Sequence, residues 1–137
     1  MDPVAQQFLA QLDEATDVLP RSVMAGLTMC GDDVVPGLVE RLKDLERPVP
    51  TRAFAAQALS DMKVPKGWNA MADVVAAGSV VMLPLVGRLL TAGGVPAAEA
   101  AMTRAENAEI EPVVRLVLAG LAVFGFIAKK YGSECIH

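Results

Sequence analysis

At 137 residues and a formal net charge of −4, the chain is long enough to bury a core without disulfides or metals, and too acidic to clasp a nucleic-acid backbone. Hydrophobic residues make up 53% of it, mostly Ala, Val and Leu, with only six aromatics. Small aliphatic side chains suit closely packed helices and membranes alike, so composition alone does not choose between them.

Asp2 is placed to cap a first helix with Pro3 at its first position, and Val4, Phe8 and Leu12 mark an apolar stripe with Leu9 beside it. Leu19-Pro20 stops that helix, and a second is expected from Ser22 to Cys30, ended by Gly31. Asp32-Asp33 caps a third, in which Val35, Leu38, Val39, Leu42 and Leu45 keep helical spacing. Arg47-Pro48-Val49-Pro50 reads as an extended turn. Thr51 then opens a fourth helix that buries Phe54, Ala55, Ala58, Leu59 and Met62. No segment alternates like a strand, so the fold class is all-α.

Eight of the nine prolines form two interleaved series. Pro3, Pro36, Pro65 and Pro96 make one, and Pro20, Pro50, Pro84 and Pro112 the other. A proline is tolerated in the first turn of a helix and costly further in. Two per unit of roughly 31 residues predict four helix pairs, a short α-solenoid-like stack forming one domain over 1–137. The alternatives are an irregular bundle, or a helical domain over 1–65 followed by an apolar membrane hairpin over 74–128.

Within the second pair, Pro36-x-Leu38-x-x-x-Leu42-x-Asp44 resembles the first helix of a HEAT repeat and the aspartate after it. Arg52-x-x-Ala55-x-x-Ala58-Leu59 resembles the second helix. The match covers about Asp33 to Lys63, with a turn some two residues longer than usual and weaker echoes around Pro3, Pro65 and Pro96. The resemblance implies that Asp44 and Arg52 steady the turn between the helices.

Two apolar stretches bear on the membrane alternative. Val74 to Gly87 holds one polar side chain, Ser79, and Leu116 to Ala128 holds none. A span needs about 20 predominantly apolar residues. The first stretch reaches that length, as 74–94, only by including Arg88 and Thr91, it carries Pro84 inside, and Gly78-Ser79 reads as a break within it. Lys63, Lys66, Lys129 and Lys130 flank the pair of stretches, and Glu99, Glu106, Glu109 and Glu111 lie between them. That charge pattern suits cytoplasmic termini.

Little in the sequence suggests chemistry. The one histidine is the final residue, His137, which removes base–nucleophile pairs and most zinc sites. Glu106, Glu109 and Glu111 read as a solvated acidic turn, with Glu106 and Glu109 on one helix face. Gly93-Gly94 lacks the Lys-Ser/Thr of a phosphate loop. Cys30 and Cys135 have no metal-ligand spacing and fit a reduced compartment, and Cys135 stands one position too near the end for a prenylation box. Met1-Asp2-Pro3 has no basic or apolar leader character, so no cleaved signal is expected. Trp68 and the methionines read as core and gap-fillers. No catalytic, cofactor or metal residue is assigned.

The expected function is that of a non-enzymatic helical assembly subunit, cytoplasmic or at the inner face of a membrane. Its contact is the last helix, 112–130, through Arg115, Val117, Leu121, Phe124 and Ile127, with a protein partner, a second copy or lipid. Between Arg115 and Lys129 that helix has no polar face. A patch of about 400 Å² there is worth roughly 10 kcal/mol when buried, before association costs.

Overall fold

Prolines mark the start of every α-helix in the computed structural model, which describes residues 2–135, with side chains through Ile127. The helices are α1 (Pro3–Glu14), α2 (Arg21–Cys30), α3 (Val35–Lys43), α4 (Val49–Met62), α5 (Pro65–Ala76), α6 (Leu83–Ala92), α7 (Val95–Ala105) and α8 (Pro112–Cys135). Among the described residues there is no strand, and the fold is all-α. Pro3, Pro65 and Pro112 occupy first helical positions, and Pro36, Pro50, Pro84 and Pro96 second ones. Pro20 is the N-cap of α2. Each proline stands where its missing N–H leaves no helical bond unmade.

Four boundaries differ from the sequence expectation, the first being the start of α3: Asp32 and Asp33 lie in a 3-10 turn, and Val34, with no side-chain cap, precedes the helix. α1 ends at Glu14 rather than at Leu19, because Ala15 turns to extended backbone and its N–H closes back on Leu12 O. α3 ends at Lys43, where the Asp44 carboxylate accepts the Glu46 N–H at 3.0 Å and competes with the helical ladder. Leu45, expected on the buried stripe, is therefore exposed. α4 begins two residues before Thr51, since Pro48 serves as its N-cap.

The chain forms two compact units, Met1–Gly67 and Trp68–His137. In the first, α4 packs against α1, α2 and α3. Leu12, Leu27, Leu38, Leu42, Ala55 and Leu59 are fully buried there. The Arg41 guanidinium forks onto the Asp13 carboxylate with two hydrogen bonds of 2.8 Å, tying α3 to α1. Arg47 adds a hydrogen bond to Asp13 at 3.3 Å; its Nε lies 3.3 Å from Asp44 Oδ2, but the N–H is not aimed at it.

In the second unit, α8 packs against α6 and α7. Trp68 is buried, and a Cβ on Gly93 would stand 2.7 Å from its ring, so the end of α6 needs a glycine there. Arg104 on α7 bonds Asp73 at 3.0 Å and Asn69 at 2.9 Å, tying α7 to α5.

Both units follow one plan, repeated at a spacing of 63 residues. Gly31 and Gly94 both take positive φ, ahead of the third helix of their unit. Arg41 and Arg104 both reach back to the carbonyl four residues earlier and across to an acid on the unit's first helix. Asp44 and Asn107 both accept a backbone N–H two residues on. The buried pairs Val23/Val86, Leu27/Leu90, Leu38/Ala101 and Leu59/Ala122 keep the same interval. These matching positions stand 63 residues apart, about twice the roughly 31-residue spacing of the prolines.

Candidate interaction surface

α8 buries Leu118 and Ala122 completely, with Gly125 on the same side. The opposite side is open. Leu116 is 73% exposed, Phe124 69% and Val113 66%, with Val123 and Ile127 each at 48%. At about 3.6 residues per turn these side chains fall on one stripe, and Gly120 stands at its centre. Nothing lies within 4 Å of the position a Cβ would occupy on Gly120, so the middle of the stripe is a shallow saddle. The exposed valines of the α5–α6 connection, Val80 and Val81, add to the apolar surface of this unit. Val80, Val113, Val117 and Leu83 line an apolar cavity of about 110 Å³.

The structure moves the candidate residues on this helix. Phe124 and Ile127 lie on the open stripe. Val117 and Leu121 are only partly exposed. Arg115 is not on the stripe; its Nε–H donates to Ala105 O at 2.7 Å and closes the α7–α8 turn. Val113, Leu116 and Val123 take the outward places instead. A helix that is apolar all round gives no polar residue to mark its outer side, so the sequence could not orient it.

Asp44 and Arg52 both act at the α3–α4 turn, by separate bonds. Asp44 caps the turn and pairs with Arg47, while the buried Arg52 donates from Nε to Leu42 O at 2.9 Å.

The acidic segment is no helix face, because α7 ends at Ala105 and residues 106–111 form the connection to α8. Among the described residues no group of three His, Cys, Asp or Glu could hold a metal ion. His137 lies outside the described residues, as does the side chain of Cys135; Cys30 is a partly buried free thiol. A polar cleft between α1 and α2, lined by Gln11, Glu14, Thr16 and Asp17, is wide open to solvent.

The 74–94 stretch is broken at Gly78, whose φ of +82° ends α5 before α6 begins. Among the described residues no helix is long and apolar enough to cross a membrane. Comparison with known protein families, with curated proteins and with solved structures finds no match.

Proposed function

We propose that this chain is a non-enzymatic helical assembly subunit that joins a larger complex through the outer face of α8. The observation that carries the reading is the open stripe of Val113, Leu116, Val123, Phe124 and Ile127. Contiguous apolar surface of this kind is costly to leave in water and marks contact sites. Comparison of the units strengthens it. At the same register, α4 carries Ala53, Ser60 and Asp61 where α8 carries Leu116, Val123 and Phe124. The four-helix plan therefore folds without an apolar stripe at these positions, and on α8 the stripe serves something else.

The reading includes the HEAT-like character of 33–63 and solenoid-like stacking of the helix pairs. Support comes from the α3–α4 packing and from the Arg52 link across its turn. A binding role is favoured over catalysis because no histidine stands among the described residues to act as base for a thiol or hydroxyl. The test is the molar mass of the full chain by light scattering over a wide concentration range without detergent, for wild type and Leu116→Glu. Assembly that Leu116→Glu abolishes while the helical spectrum persists is the expected result. A wild-type monomer at high concentration that binds neither protein nor vesicles refutes it.

A further inference from the structure

We draw no further inference here: the strongest candidate, the open apolar stripe along the outer face of α8, belongs to the assembly surface already described, and nothing in the structure shows what covers it.

Discussion

Arg52 and Arg115, 63 residues apart, do the same work: the Nε–H of each donates to the backbone carbonyl ten residues upstream, Leu42 O at 2.9 Å and Ala105 O at 2.7 Å. Each carbonyl lies in the last turn of a helix, where no intrahelical partner remains. A guanidinium from the next helix supplies both the donor and a positive charge at the negative end of the dipole. One side chain therefore fixes the angle of a turn that local sequence leaves long.

Replacing these arginines by methionine keeps most of the packing and removes the donor. Arg52 is almost wholly buried, so Arg52→Met should cost about 2–3 kcal/mol, the worth of a charge-assisted bond with its acceptor left unpaired. Arg115 is more exposed, and Arg115→Met should cost nearer ~1 kcal/mol. Urea unfolding checks both. A neutral result at Arg52 shows that the link does not hold the turn.

The second shared arginine makes a more particular prediction. Arg41 takes its acid from Asp13, and Arg104 from Asp73. In the 63-residue register, however, Asp13 corresponds to Ala76 and Asp73 to Ala10. The acid has moved by three residues, which on a helix keeps it on the same face. Asp13→Ala should cost ~1 kcal/mol, as expected of a partly exposed pair. Adding Ala10→Asp to that variant should recover part of the loss. If it recovers nothing, the two ion pairs are not interchangeable.

Much of this architecture was legible in the sequence, and the reason is proline. Its missing N–H and fixed φ announce a helix start locally, whatever the rest of the chain does. Gly31 announced the end of α2 in the same local way. The 63-residue repeat was not legible, because its core positions change size and its acid changes place. Leu38 becomes Ala101 and Leu59 becomes Ala122, so only a skeleton such as Gly31/Gly94 and Arg52/Arg115 survives as identity. The outward side of α8 was hidden for another reason. Which side of an all-apolar helix faces in is decided by α6 and α7, not by the helix itself.

Those size changes are offset in part across the hairpin. In the first unit the third helix carries Leu38 and Leu42 and the fourth carries Ala55; in the second, Ala101 and Ala105 correspond to the leucines and Leu118 to Ala55. All six are at least nine-tenths buried. Two leucines are lost from the third helix and one is gained on the fourth, so part of the volume switches helix, a kind of exchange cores tolerate. Leu38→Ala alone should cost about 2–5 kcal/mol through the cavity it leaves. Ala55→Leu alone should cost about 1–3 kcal/mol through overpacking. Together they should cost less than either sum predicts, and a double-mutant cycle that is strictly additive would rule the exchange out.

Gly31 and Gly94 share a backbone need rather than a packing one. Their φ values are +60° and +79°, with ψ strongly negative, and a Cβ on either would meet nothing within 4 Å. Alanine there is strained by the backbone alone, so each substitution should cost about 1–3 kcal/mol with no loss of helix content. Equal stability of the alanine variants, by chemical denaturation, would show that the turns relax to another path.

The orientation of α8 can be tested by the same substitution placed one turn apart. Leu121 is only partly exposed, and a Cβ on Gly87 of α6 would lie 3.5 Å from its Cδ2. Phe124, three residues on and about 60° round the helix, turns outward and is 69% exposed. Leu121→Glu drives a carboxylate toward α6 and should lower stability by about 2 kcal/mol or more. Phe124→Glu loses little that the folded monomer uses, so its stability should stay within about 0.5 kcal/mol of wild type. Its effect should fall on assembly and solubility instead. Both variants are measured by denaturation at a concentration low enough to hold the chain monomeric, then by light scattering at high concentration. If Phe124→Glu unfolds the protein and Leu121→Glu does not, the helix is rotated and the stripe assigned to it is wrong.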